Sequence, residues 1–195
     1  MKRDIILGGV GGQGILSIAA VIGMAALSEN MYLKQAEVHG MSQRGGDVSS
    51  NLRISTEPIA SDLIPFGKAD LIISVEPMES LRYLPYLSPD GWLITNTKPF
   101  INIKNYPDEK DIKAEIVKLK NHVALDADEI AKDLGSVRSA NMVVLGAAIP
   151  FLGIEFDKMK KAIADIFGNK GESVVDVNVK ALTAGYEFAL DYTKK

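Results

Sequence analysis

Short apolar runs along this chain alternate with longer segments whose apolar residues recur at helical spacing, and each change of period marks an element. Ile5-Ile6-Leu7 is a compact apolar run stopped by glycines, and residues 15–27 are rich in Ala, Ile and Leu. That order predicts a strand, a tight turn and a helix. Only Ser17 and Ser28 interrupt the helix, so the pattern predicts burial nearly all round, between a sheet and a further layer. A second strand is expected over 32–38. Beyond it Val48, Ser50, Leu52 and Ile54 alternate with Ser49, Asn51, Arg53 and Ser55, the signature of a half-exposed strand that is antiparallel or at an edge.

Residues 69–75 (Ala-Asp-Leu-Ile-Ile-Ser-Val) are almost continuously apolar, as a central parallel strand covered on both faces would be, and Glu76-Pro77 closes the run. The turn Ser88-Pro89-Asp90-Gly91 opens a strand over 92–95, and a further one is expected at 123–125. Between them residues 100–120 are charged and proline-interrupted, which predicts a surface excursion with a short helix near Ile112, Ile116 and Leu119. Asp126 and Glu129 have the spacing of a capping box, and Gly135 is the expected stop of the helix they begin. Helices are predicted over 139–152, over 157–167 with Met159, Ile163, Ile166 and Phe167 on one side, and from Val175 through Val179, Leu182, Tyr186 and Leu190.

Strands alternating with helices imply an α/β fold: a three-layer sandwich around a mostly parallel, Rossmann-like sheet with one antiparallel or edge strand. No repeat, low-complexity tract or linker divides the 195 residues, 47% of them apolar, so residues 1–195 are expected to form one domain. Composition then removes several functions. With 22 basic against 25 acidic residues there is no cationic footprint for nucleic acid. The absence of cysteine excludes disulfides, thiolate nucleophiles, cysteine-ligated zinc and iron–sulfur clusters held by this chain. The two histidines, His39 and His122, form no metal-ligand pair at helical spacing. The N-terminal apolar run is too short for a signal peptide, and no stretch approaches about 18 uninterrupted apolar residues. A cytoplasmic protein is the expectation.

Two glycine-rich turns are the candidate sites. Gly9, Gly11, Gly12, Gln13 and Gly14 lie in Gly8-Gly9-Val10-Gly11-Gly12-Gln13-Gly14, which follows a strand and opens a helix as the dinucleotide fingerprint requires. Such a turn lets backbone amides and the positive end of the helix approach a phosphate; equally, it makes a tight strand-to-helix crossing that needs little side-chain bulk. Glu37 is the one acidic residue placed to hold a ribose hydroxyl. The second turn contains Ser42, Gln43, Arg44, Gly45 and Gly46, in which Arg44 either clamps a phosphate or carboxylate in bidentate fashion or is solvated. His39 stands beside it. No nucleophile-elbow pattern is present, Glu76, Glu79, Asp126 and Asp128 read as capping or surface residues, and no catalytic residue is assigned.

Taken in order, Gly8 to Gly14, Glu37-Val38-His39-Gly40-Met41-Ser42-Gln43-Arg44-Gly45-Gly46 and Ser139-Ala140-Asn141-Met142-Val143-Val144-Leu145-Gly146 resemble the gamma-type small subunit of 2-oxoacid:ferredoxin oxidoreductases. The loop His39 to Gly46 is most like that of the indolepyruvate branch. The resemblance implies a gamma-type catalytic domain in a complex that decarboxylates a 2-oxoacid, passes electrons to ferredoxin and delivers the acyl group to coenzyme A. It also implies that thiamine diphosphate, Mg2+ and 4Fe-4S clusters reside on a large partner subunit. The missing cysteines agree with that, as does the lack of a Gly-Asp-Gly thiamine–metal motif, and the chain is expected to be inactive alone. The glycine turn or Arg44 would then meet a coenzyme A phosphate. Two other readings remain open at this point: a free-standing nucleotide-binding oxidoreductase or sensor, and a purely structural interaction subunit.

Overall fold

The computed structural model describes residues 1–39 and 46–194, with His39 described through its backbone alone. Six strands form one sheet: β1 (Lys2–Val10), β2 (Tyr32–His39), β3 (Asp47–Ser55), β4 (Ala69–Ser74), β5 (Leu87–Asn96) and β6 (His122–Leu125), in the order β2-β3-β1-β4-β5-β6. β1, β4, β5 and β6 run parallel; β3 lies antiparallel between β1 and β2. Among the described residues seven α-helices accompany the strands: α1 (Ile15–Ser28), α2 (Pro77–Arg82), α3 (Glu109–Ile116), α4 (Ala127–Asp133), α5 (Ala140–Leu152), α6 (Phe156–Phe167) and α7 (Glu172–Tyr192).

Strand alternation divides the core between two faces. Ile5, Leu7, Leu71, Ile73 and Ile94 point into the larger core with α1, α5, α6 and α7, while Ile6, Ile72 and Leu93 meet Ile112 and Ile116 of α3 on the other face. Successive residues of β1 and β4 therefore serve opposite layers, and the expected three-layer sandwich is the observed one. In the larger layer α5 and α7 cross with almost no side chain between them. A Cβ on Gly146 would lie 2.0 Å from the Leu182 carbonyl oxygen, and one on Gly185 would lie 1.9 Å from that of Val143.

Four expectations change. The turn predicted at 88–91 lies inside β5, whose pairing with β4 jumps from Ala69↔Leu87 to Leu71↔Trp92, so these residues bulge against the single residue Asp70. β3 is antiparallel as expected but neither half-exposed nor at the edge: Asn51, Arg53 and Ser55 are buried with their apolar neighbours. The chain after β3 folds back over them, with Arg53 donating to the carbonyls of Ser61 and Leu63 and the Asn51 side chain accepting from the Ile64 amide. α1 is not buried all round, because Leu16, Met24 and Leu27 form an exposed apolar side at helical spacing. Finally, α2 was unexpected: Glu76-Pro77 ends β4 and at once caps and starts a helix. The capping by Asp126, whose carboxylate accepts from the Glu129 amide at 2.9 Å, and the left-handed Gly135 stop are as read from the sequence.

Candidate functional site

β1 and β4 are parallel neighbours, yet the chain leaves β1 toward β2 on one side and leaves β4 toward β5 on the other. Such a reversal opens a crevice at the carboxyl ends of the strands, where α/β folds place ligands. The glycine turn stands at this point. Gly9 is required by packing, since a Cβ there would lie 2.5 Å from the Val75 side chain. Gly12 and Gly14 adopt positive φ, 103° and 82°, and Gly14 is the residue before α1. The first amides of α1 lack intrahelical partners and lie beside the crevice.

Gln13 is committed to the turn itself. Its side-chain oxygen accepts from the Val10 amide at 2.8 Å, and its side-chain nitrogen donates to the Val75 carbonyl, tying β1 to β4. Asn141 of α5 donates to the Gly14 carbonyl at 3.1 Å and occupies the space a Gly14 side chain would need. Asn96 at the end of β5 completes the frame: its nitrogen donates to the Val75 carbonyl and, at 2.7 Å, to Asp128, while its oxygen accepts from the Ala127 amide.

These residues bound an open cleft of about 480 Å3 lined by Gly12, Gln13, Gly14, Ser17, Asn96, Phe100, Asp128, Arg138 and Asn141, among others. The start of α1, where the Ile15 and Leu16 amides have no intrahelical partner, and the Arg138 guanidinium suit an anion, with the Asp128 carboxylate on the same lining already paired to Asn96. Phe100 and Val137 supply apolar walls. On the other side of the turn, Gly11, Gly12, Gly14 and Leu16 share a hollow of about 270 Å3 with Glu37 of β2. Glu37 thus reaches the turn, but β3 intervenes between its strand and β1, so it stands one strand spacing, about 4.8 Å, farther out than a ribose-binding acid on an adjacent parallel strand.

Of the second turn, Ser42, Gln43, Arg44 and Gly45 lie outside the described residues, as does the His39 side chain. Gly46 is described, and its carbonyl accepts from the Gly11 amide at 2.9 Å, so the two glycine-rich turns are joined. Asn96, Phe100, Arg138 and Asn141 were not singled out from the sequence. They come from two segments, 96–100 and 138–141, that lie far from the glycine turn in sequence and carry no motif of their own.

Beneath the cleft lies a charged cluster that reads from sequence only as capping. Glu76 is fully buried: one carboxylate oxygen accepts from the Glu79 amide at 2.8 Å, and the other accepts from the Phe100 amide at 3.3 Å and from the Tyr106 hydroxyl. Glu79 is also buried and pairs with Arg82 at 2.7 Å. Burial nonetheless outweighs the arginine and pushes the Glu79 carboxyl above its ordinary range. Burial raises the Tyr83 and Tyr106 hydroxyls as well, with the Glu76 hydrogen bond adding to the effect at Tyr106. Among the described residues, no group of three or more His, Asp or Glu side chains is placed to hold a metal ion, and no helix is long and apolar enough to cross a membrane.

The sequence pattern of the pyruvate ferredoxin/flavodoxin oxidoreductase family matches residues 4–188. Indolepyruvate oxidoreductase subunit IorB of Archaeoglobus fulgidus is 36% identical, over 97% of this chain and 96% of its own. The gamma subunit of the keto/oxoacid ferredoxin oxidoreductase of Geobacter sulfurreducens shares the fold with a TM-score of 0.72 at 24% identity, covering 97% of this chain and 99% of that one. The 2-oxoglutarate:ferredoxin oxidoreductase of Magnetococcus marinus, solved with 2-oxoglutarate, coenzyme A and succinyl-CoA bound, matches the whole of this chain with 32% of its own, at a TM-score of 0.77 and 22% identity.

Proposed function

This chain belongs to the pyruvate ferredoxin/flavodoxin oxidoreductase family, as a small subunit of 2-oxoacid:ferredoxin oxidoreductases, and from that premise we propose that it shapes the coenzyme A side of an indolepyruvate- or aryl-pyruvate-oxidising complex. Residues 1–195 act as one gamma-type catalytic domain. The thiamine diphosphate, Mg2+ and 4Fe-4S clusters are carried by a large partner subunit; this chain offers no cysteine to ligate a cluster. Thiamine diphosphate supplies the centre on which the 2-oxoacid loses carbon dioxide, and ferredoxin takes the electrons. The chain alone is inactive and works in the cytoplasm.

The observation that carries this reading is the convergence of the glycine turn, the N-terminus of α1, Asn141 and Arg138 on one cleft at the strand reversal. Gly9, Gly11, Gly12, Gln13 and Gly14 build a backbone cradle for a coenzyme A phosphate, and Ser42, Gln43, Arg44, Gly45 and Gly46 are the second set of residues assigned to that phosphate. The cradle's amides and the guanidinium groups hold the anionic end of the carrier. A free-standing nucleotide-binding oxidoreductase is not favoured, because the relatives matched over their full length are complex subunits, so a partner subunit is needed.

The test uses the complex reconstituted with its large subunit. Arg44→Ala and Arg138→Ala should each raise the KM for coenzyme A about tenfold with little change in kcat, the loss of one charge-assisted hydrogen bond. An unchanged KM for coenzyme A in both variants would overturn the assignment. Failure of the chain to recover any thiamine- and cluster-bearing partner from native cells would overturn the subunit reading itself.

A further inference from the structure

We propose that Glu76 is a positioning residue: it clasps the strap 97–106 to the carboxyl edge of the sheet and so sets Phe100 as a wall of the cleft beside the glycine turn. The inference rests on the coenzyme A reading of that cleft. Three donors satisfy the Glu76 carboxylate, and two of them, the Phe100 amide and the Tyr106 hydroxyl, come from the strap. The cation nearest in sequence, Arg82, is spent on Glu79. A buried carboxylate stripped of its hydrogen bonds is strongly disfavoured, so Glu76 holds the strap down because lifting it would leave one oxygen bare.

The clasp and the wall are the same residue. The Phe100 amide is tied to Glu76 while its ring lines the cleft with Gly12, Gly14 and Arg138. Within the strap Ile101 and Ile103 are exposed, and Lys98 and Lys104 stand in solvent. At the root of the strap, Asn96 accepts from the Lys98 amide while donating to the Val75 carbonyl, the same oxygen that Gln13 of the glycine turn reaches. The strap and the turn are therefore fixed to one another through the end of β4. The ring of Phe100 offers a flat apolar face to whatever the anionic end of the turn's ligand carries next to its phosphate. Burial and the Glu76 bond also hold the Tyr106 proton in place well into the alkaline range.

Tyr106→Phe removes one clasp donor, together with the hydroxyl's bond to the Met78 backbone, and keeps the Glu79 amide bond to Glu76 that caps α2; Phe100→Ala removes the wall and leaves the clasp. In the reconstituted complex both should raise the KM for coenzyme A about five- to tenfold, with the KM for the 2-oxoacid unchanged, as expected from the loss of one buried contact. Tyr106→Phe, and not Phe100→Ala, should also speed tryptic cutting after Lys104. If Arg44→Ala and Arg138→Ala raise the coenzyme A KM while Tyr106→Phe and Phe100→Ala do not, the strap inference falls and the coenzyme A reading stands. If none of the four does, both fall. Equal rises in both KM values, or unchanged tryptic cutting in Tyr106→Phe, would likewise overturn the clasp.

Discussion

Two buried carboxylates sit at opposite ends of the sheet and are satisfied in opposite ways. Asp4, at the amino end of β1, is met by Arg53 through two nitrogens at 2.7 and 3.0 Å and by Lys2 at 2.9 Å. Glu76, at the carboxyl end of β4, is met by two amides and a hydroxyl. The first arrangement joins permanent parts of the sheet, β1 to β3, and Arg53 extends it to the covering segment at Ser61 and Leu63. The second joins the sheet to a surface strap with groups that can exchange for water. Asp4 is thus answered by cations within the sheet, and Glu76 by neutral donors where a surface strap borders the cleft.

The sharpest way to break this contrast is to remove the cation. Arg53→Met should cost about 3–5 kcal/mol in denaturant unfolding, because it leaves the buried Asp4 with Lys2 alone and strips the Ser61 and Leu63 carbonyls of their donor, and adding Asp4→Leu should recover part of it. Glu76→Gln should cost less, about 1–3 kcal/mol, since its single carbonyl can serve either the α2 cap or the strap but not both. Tyr106→Phe should cost about 0.5–1.5 kcal/mol in the same assay, the range of one hydrogen bond.

The smallest effect concerns pH. The Tyr106 hydroxyl is raised in the folded protein, chiefly by burial, so its contribution is fully present below the unfolded tyrosine value of about 10 and is lost as pH climbs through the folded value. The stability gap between wild type and Tyr106→Phe should stay constant from pH 7 to about 10 and narrow above it. A Tyr106→Phe gap that did not narrow would show the hydroxyl proton to be ordinary.

The sequence discloses those features whose cause is local. The continuous apolar run of β4, the glycine turn between β1 and α1, and the Asp126 cap all follow from neighbours within a few residues. β3 does not: Asn51 and Arg53 read as solvent-facing because the groups that satisfy them, near Ser61, Leu63 and Ile64, carry no signal of where they will fold. α2 is hidden because proline stops a strand and starts a helix equally well. The cleft is hidden for the same reason as β3. Asn141 meets the Gly14 carbonyl across 127 positions, and Phe100 lies in a segment whose composition says only that it is a loop.

The crossing of α5 and α7 at Gly146 and Gly185 bears on how variation in this protein should be interpreted. At either position even one methyl group would fall within 2.0 Å of a backbone carbonyl oxygen on the facing helix, so every replacement, however conservative, forces two helix backbones apart. In a survey of all single substitutions these two columns should be as intolerant as any ligand-touching position, although neither glycine lines the cleft. Invariance there would record the distance between two helix axes and carry no information about chemistry.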